Sequence, residues 1–511
     1  MTTLTPISNA NTLLPAPRLA PPATLEQPGV SGARPSSIVS LGKAVDSFDA
    51  TTYSRLGLLP GYETVRESSA KDDVSRLLES NFRSLNTATR FGGLGAALVG
   101  AFAKNGTSIS QSLLNATSAR AATPGELKVD QELLHTNADN FVSLSVKTAS
   151  GKTVTFSVSS QNGGLGVQAN VDGGMLSDAE LKEVGKLGEA FQGAIDGLTA
   201  QPPKLELGKL AQFDTRVLAS VDLSGNVKLN AQGNVTLAFH GDDQSRTTRM
   251  SSPAGDVNVA VDLKNAAILG NARQQAEALK NYLGQFDKAQ SRGKADPNLI
   301  AMFKSAFAAL NSHYPPSTQA PDALTRSPAD KGLLTGLADF DASISQAAQS
   351  PNPMRPAEGD TFNYKVAQTT QVDGKDLRNR TVKQDQQSSL SASYHQGLFG
   401  GKPQMGKTAA EQNYLYVQVN DKASSSASLG YKEGERVQAS VEQAASQNMR
   451  TQKYVSGKRV GDTSVPEQAL SKRNVLALLA FAARDSKQSR EALANLQQSV
   501  LLQGNPFALP R

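Results

Sequence analysis

The sequence predicts an α+β fold: antiparallel β-rich modules flanked by helices, behind a disordered N-terminal tail. Three observations lead there. Apolar and polar residues alternate over short runs in two groups, residues 141–172 and 217–263, which is the period of a half-buried strand. The runs are joined by Gly- and Asn-bearing turns instead of alternating one by one with helices, so a parallel βαβ architecture is not expected. Helical periodicity occupies the stretches between and after the runs.

Residues 1–45 are rich in Thr, Pro, Ala and Asn, and their first acidic residue is Glu26. Such a segment buries too little apolar surface to offset the entropy of ordering and reads as a disordered tail. An uncleaved bacterial export signal has the same texture, and both readings stay open. From residue 47 to 120 the pattern turns helical, with Val74, Leu77, Leu78, Phe82 and Leu85 at three- and four-residue steps. Gly92-Gly93-Leu94-Gly95 interrupts it before residues 96–102 resume.

The first β run is 141–148, 153–160 and 165–172, turned by ASGK and QNGG, residues that tolerate positive φ. Ser177 with Glu180 has capping-box spacing and opens a helix whose buried stripe is Leu181, Val184, Leu187, Phe191 and Ile195; Pro202-Pro203 stops it. A second run comprises 217–223, 227–230, 235–240, 246–251 and 257–263. Helices come next near 272–290 and 297–312. The Pro-rich stretch 314–330 reads as a linker between an α+β module (46–313) and a C-terminal one (331–511). That second module opens with a weak helix near 333–348. Four long polar strands (361–372, 381–394, 414–431, 436–455) succeed it, and their Gln, Ser, Thr and Lys positions suggest a well solvated face. It closes with a helical segment at 466–502.

Composition excludes several chemistries. Among 511 residues there is no Cys and there are four His, which removes disulfides, thiol nucleophiles and thiolate metal sites and makes a His-rich centre unexpected. The net charge of +6 is not gathered into a block, so nucleic acid is not indicated as a partner. The longest apolar runs, 91–103 and 475–483, fall short of the about 20 residues a membrane-spanning helix needs. They read as core helices or as peripheral contacts with a membrane or partner. The N-terminus lacks the basic start and the apolar run of about 7–15 residues of a cleaved signal peptide.

The most specific motif is Gly401-Lys402-Pro403-Gln404-Met405-Gly406-Lys407-Thr408, which satisfies G-x-x-x-x-G-K-[ST]. In a phosphate loop Gly401 and Gly406 let backbone amides wrap the phosphates, Lys407 reaches the terminal ones and Thr408 holds magnesium. Asp421 ends an apolar stretch, as a magnesium-holding Asp does. Only AAEQN separates Thr408 from the next strand, so a flexible hairpin loop is the expected structure. Gly93-Leu94-Gly95 starts a dinucleotide fingerprint whose sixth position is Leu98, and close helix packing explains it better. His240-Gly241-Asp242-Asp243 offers ligands for a divalent ion or an acid/base pair, or simply a turn. Asp72-Asp73 suits a helix N-terminus. No HExxH, EF-hand or G-x-S-x-G pattern occurs.

The VSLG at 39–42, ESNFRSLNTATRFGGLGAAL, VSLSVKTASGKTVTFSVSSQ and LSDAELKEVGKLGEAFQGAIDGL together resemble a family of uncharacterised bacterial proteins, some of which carry an automatic lactate dehydrogenase label. The resemblance covers about residues 35–310. That activity would imply a βαβ nucleotide domain, a catalytic histidine oriented by a carboxylate and a substrate-binding arginine. None can be placed, and no site residue is carried over. The expectation is therefore a non-enzymatic protein that binds a protein partner, exported without a cleaved signal peptide, with no catalytic or metal site and no cofactor. The alternative is an intracellular enzyme, either dehydrogenase-like or a nucleotide binder using the 401–408 loop.

Overall fold

Alternation of apolar and polar residues gives each strand one face for a core and one for water. In the computed structural model these strands join into one antiparallel sheet. The structure describes residues 64–510 except 85, 116–122, 162, 231–232, 316–324, 326–327, 377 and 483–485. The N-terminal tail expected at 1–45 lies outside the described residues.

The strands are β1 (Thr64–Arg66), β2 (Ile109–Asn115), β3 (Asn140–Thr148), β4 (Thr153–Gln161), β5 (Gly164–Asp172), β6 (Leu218–Asn230), β7 (Gly233–Asp242), β8 (Ser245–Ser252), β9 (Gly255–Asp262) and β10 (Asp339–Gln349). They continue with β11 (Asp360–Asp376), β12 (Asn379–Gln396), β13 (Gln404–Met405), β14 (Gln412–Lys432), β15 (Glu435–Val455) and β16 (Lys458–Asn474). Their spatial order is β1-β2-β5-β4-β3-β6-β7-β8-β9-β10-β11-β12-β14-β15-β16, with β13 beside β14. Among the described residues every pairing between these strands is antiparallel. The α+β class stands.

The helices are α1 (Asp73–Phe82), α2 (Thr87–Phe91), α3 (Leu94–Asn105), α4 (Pro124–Thr136), α5 (Asp178–Lys186), α6 (Gly188–Thr199), α7 (Ala272–Gly293), α8 (Pro297–Leu310), α9 (Pro328–Lys331), α10 (Leu476–Ala482) and α11 (Lys487–Val500). The inward residues of the strands, such as Leu144, Phe156, Val221 and Val259, are buried in one core with Phe102, Ile195, Phe286 and Phe307 from the helices. In the middle of that core Tyr282 and Phe286 of α7, Phe307 of α8 and Phe340 of β10 meet edge to face, ring centroids 4.9–5.7 Å apart, a favoured aromatic geometry. Helix α4 lies on the other face, where Leu134 and His135 close on Gly166 of β5.

The opposite, outward positions are small or polar. A row running strand to strand reads Ser143, Ser224, Ala238, Arg249, Asn258, Ser343, Lys365, Ser389 and Lys422. The Gly-Leu-Gly of 93–95 serves packing: a Cβ on Gly95 would sit 2.7 Å from Cδ1 of Ile195 on α6.

Three features differ from the expectation. The 314–330 stretch falls between neighbours of one sheet, since β9 and β10 pair from Gly255–Asp262 to Asp339–Gln346; Tyr62–Arg511 forms one compact unit. Residues 339–349 are a strand and not a helix, because Phe340, Ala342 and Ile344 face the core while Asp341 and Ser343 do not. Their period of two was hidden by the helix-favouring Ala and Leu around them. Residues 466–474 likewise continue β16, and helix begins only at Leu476, whose N–H is accepted by the Asn474 side chain at 3.0 Å.

The polar residues of the long strands also do not all face water. Gln384, Gln386, Ser425 and Gln443 are buried, and the last three hold the extended segment after α11. Gln386 Nε2 and Ser425 Oγ each donate to Val500 O at 2.8 Å, Gln443 Nε2 donates to Leu501 O at 2.9 Å, and Leu502 N donates to Gln386 Oε1 at 3.0 Å. Buried amides are tolerated where main-chain groups complete their bonds, so these glutamines seat the C-terminus instead of solvating a face.

Candidate functional site

The G-x-x-x-x-G-K-T segment connects β12 to β14. Lys402, Lys407 and Thr408 are exposed, and Thr408 leads into a single 3₁₀ turn, Ala409–Glu411. Glu411 Oε2 accepts from Thr408 N at 3.1 Å and from Thr408 Oγ1 at 2.8 Å. These bonds hold the Glu411 carboxyl below its ordinary range. A carboxylate thus occupies the amide and hydroxyl that a phosphate and its magnesium would use, and a three-residue turn presents no helix dipole.

Asp421 is not brought to this loop. It lies nine residues along β14 from Gln412, about 30 Å at ~3.3 Å per residue, facing inward. Arg292 of α7 grips it with two bonds, Nε to Oδ2 at 2.5 Å and a terminal nitrogen to Oδ1 at 2.9 Å.

His240 stands on the solvent face of β7 between Asp222 (Nδ1 to Oδ1, 2.6 Å) and Asp242 (Nε2 to Oδ2, 3.1 Å). Hydrogen bonds to these two carboxylates push the imidazole up to about 10. The acids flank the ring on opposite sides. Among the described residues no His, Asp and Glu group has the geometry to hold a metal ion. Asp72 is the N-cap of α1, accepting from Ser75 N at 2.8 Å. The apolar run at 91–102 is mostly sealed in the core through Leu94, Leu98, Val99 and Phe102, and Leu479 of α10 is likewise buried.

What the sequence did not reveal lies at one end of the long strands. The starts of β11, β14 and β16 and the ends of β12 and β15 meet there. On the outward face His395 pairs across the ladder with Tyr416, and Tyr414 with Tyr454. Tyr414 and Tyr454 stack with centroids 4.8 Å apart, and the His395 ring lies 5.0 Å from Tyr414 and 4.9 Å from Tyr416.

The loop 350–359 folds over this pad. Glu358 Oε2 accepts from the Tyr414 hydroxyl at 2.6 Å, and Asp360 Oδ1 lies 2.6 Å from His395 Nδ1. Arg355 places its guanidinium 4.4 Å from the Tyr454 ring centre and donates to Gly457 O at 3.0 Å. Asn352 donates to Gln412 Oε1 at 2.8 Å, and Gln412 in turn donates to Gly406 O at 2.6 Å. Met405 packs against the tyrosines. Burial, and then the Glu358 carboxylate, push the Tyr414 phenol above the usual tyrosine range.

The arrangement works as a clasp. It ties the 350–359 loop, the 397–411 loop and the β15–β16 turn to one rigid base. Beyond the clasp, Phe399 is 100% exposed and Met354 48%. Gly400 and Gly401, at φ 83° and 73°, turn the chain sharply just after Phe399, a conformation that side-chain-bearing residues resist. The Tyr-Leu-Tyr alternation was visible in the sequence. Its partners His395 and Tyr454 were not, because register over 20–40 residues leaves no local mark.

The fold and the clasp define an α+β protein built on one long antiparallel sheet with helices packed mainly on one face. Compared with protein-family models, curated proteins and solved structures, the chain matches none.

Proposed function

We propose that this is a non-enzymatic bacterial protein that acts by binding, through the clasped end of its sheet, and that residues 1–45 direct its export without being cleaved. The observation behind the reading is Phe399: a large aromatic held wholly in water, on a loop whose base is fastened by buried rings and charge-bearing hydrogen bonds. An exposed aromatic on a fixed base is suited to contact, since little side-chain entropy is lost when it is covered. Supporting it, the histidines at 240 and 395 have both ring nitrogens engaged by their own carboxylates. The enzyme alternative would need a doubly wound parallel sheet for a nicotinamide, or a helix after the 401–408 loop for a nucleotide.

Two experiments test the proposal. Fractionation of the native host, with residues 2–45 present or deleted, should find the protein outside the cytoplasm only when they are present. Retention in the cytoplasm in both cases refutes export. A photo-crosslinking amino acid at position 399 should give an adduct in the host, to protein or to lipid, whereas the same probe at Asn258 on the open sheet face should not. Equal labelling at both positions refutes the clasped end as the contact surface.

A further inference from the structure

Charge at the clasped end is divided unevenly. Its carboxylates are used internally: Glu358 and Asp360 by His395, Tyr414 and Arg355, Glu411 by Thr408, and Asp462 by Arg450 and Arg459. The lysines at the same end, Lys402, Lys407 and Lys458, are exposed, and none has an ion pair among the described residues. Lys402 and Lys407 lie in the loop that carries Phe399, and Lys458 is on the turn packed against that loop, where a Cβ on Gly457 would sit 3.3 Å from Ala409 Cβ. An exposed apolar tip on a loop that also bears lysines without ion pairs is complementary to a surface that offers anionic groups above a hydrocarbon layer.

Resting on the reading of this end as the binding surface, we propose that its partner is an anionic lipid bilayer, with Phe399 as the inserted wedge and Lys402, Lys407 and Lys458 at the headgroups. Neither apolar run singled out in the sequence serves this role. The first is sealed in the core and the second is anchored there by Val475, Leu479 and Ala482 with Leu478 and Phe481 only about a third exposed, whereas Phe399 on its glycine-rich loop is fully exposed. The rigid base matters, because a loop free to fold back would bury Phe399 against its own chain.

The test is flotation of the full-length protein with phosphatidylcholine vesicles, with or without phosphatidylserine. The protein should float with the anionic vesicles and stay behind with the neutral ones, and added salt should release it. Phe399→Ser should weaken partition about tenfold, and Lys402→Gln and Lys407→Gln about fivefold each. Val372→Ser, at the opposite end of β11 and 45% exposed, should change nothing. Because Phe399 touches no core, its variant should keep the wild-type unfolding temperature, which separates loss of contact from loss of fold. No flotation with anionic vesicles, or flotation unaffected by Phe399→Ser, overturns the proposal. A discrete protein adduct at position 399 without flotation overturns the bilayer while leaving the binding end in place. Neither adduct nor flotation removes both.

Discussion

Arg246 offers the sharpest test of what holds the end of α8 against the sheet. It sits on the inward face of β8 and is 4% exposed, yet among the described residues it has no carboxylate partner. Its guanidinium instead donates to four main-chain carbonyls: Leu310 O at 3.1 Å, Ser312 O at 2.5 Å, Ala211 O at 3.0 Å and His313 O at 2.7 Å. Three of these lie at or just beyond the end of α8, where carbonyls lack intrahelical partners and the helix dipole is negative. Arg246→Met keeps the bulk of the stem and removes every donor. Each charge-assisted hydrogen bond contributes about 1.5–3 kcal/mol. Against their sum stands the cost of burying a guanidinium, several kcal/mol, which the variant recovers. The net expectation is a loss of about 3–5 kcal/mol.

Urea unfolding followed by tyrosine fluorescence, which no Trp obscures, should show the midpoint fall accordingly. Arg246→Lys should recover only part of the loss, since one ammonium cannot reproduce the planar fork that spans four carbonyls. A loss below about 1 kcal/mol in the Met variant, close to that of an ordinary surface change, would refute the claim that this cation organises the end of α8.

Other expectations rest on the same kind of geometry. Burial pushes Asp339 up to about 6 against an ordinary 3.8, so its contribution to stability is complete below about 3.8 and is lost as pH rises through about 6. Asp339→Asn should therefore gain on wild type between acid and neutral pH, by up to about 3 kcal/mol, read as a pH-dependent difference in unfolding temperature; a constant difference would count against it. Glu67 behaves oppositely. Burial opposes its ionisation, but hydrogen bonds from His135, Ser110 and Ser112 outweigh that and hold it at about 2; its stabilisation is present above about 4.5 and lost as pH falls toward 2. Glu67→Gln should cost about 1–2 kcal/mol at neutral pH and nothing near pH 2, and a cost that persists in acid would refute the assignment. Gly95→Val should lower stability by about 1–3 kcal/mol through overpacking against Ile195, measured by thermal unfolding; wild-type stability would show that the α3–α6 contact is loose. Asp421→Asn should weaken the Arg292 tie and lower the urea midpoint without changing any nucleotide binding, whereas a change in nucleotide affinity would return Asp421 to a metal role.

Much of the β content was legible locally. The strands from residues 141 to 263 and the four long ones after 361 announced themselves by alternation, the first group also by turn residues such as Asn162-Gly163. The Ser177–Glu180 cap forms as its spacing implied, with Ser177 N donating to Glu180 Oε2 at 2.7 Å. Residues 339–349 and 466–474 were misread because their composition favours helix while their neighbours in space, β9 and β15, supply the ladder that makes them strands. Propensity is a property of the segment, and pairing is a property of the partner.

The same distinction separates the two kinds of knowledge about this protein. Class, turn positions, the lack of thiol chemistry and the poor context of the 401–408 motif were determined by the sequence alone, since each depends on residues within a few positions of one another or on composition. Which face each polar strand residue takes was decided only by tertiary structure. So were the inward turn of Gln386 and Gln443 toward the C-terminal segment and the meeting of His395, Tyr414, Tyr454 and Glu358 in one clasp. A strand's period of two says that its side chains alternate; only the register with its neighbours and the helices packed on one side say which set is buried.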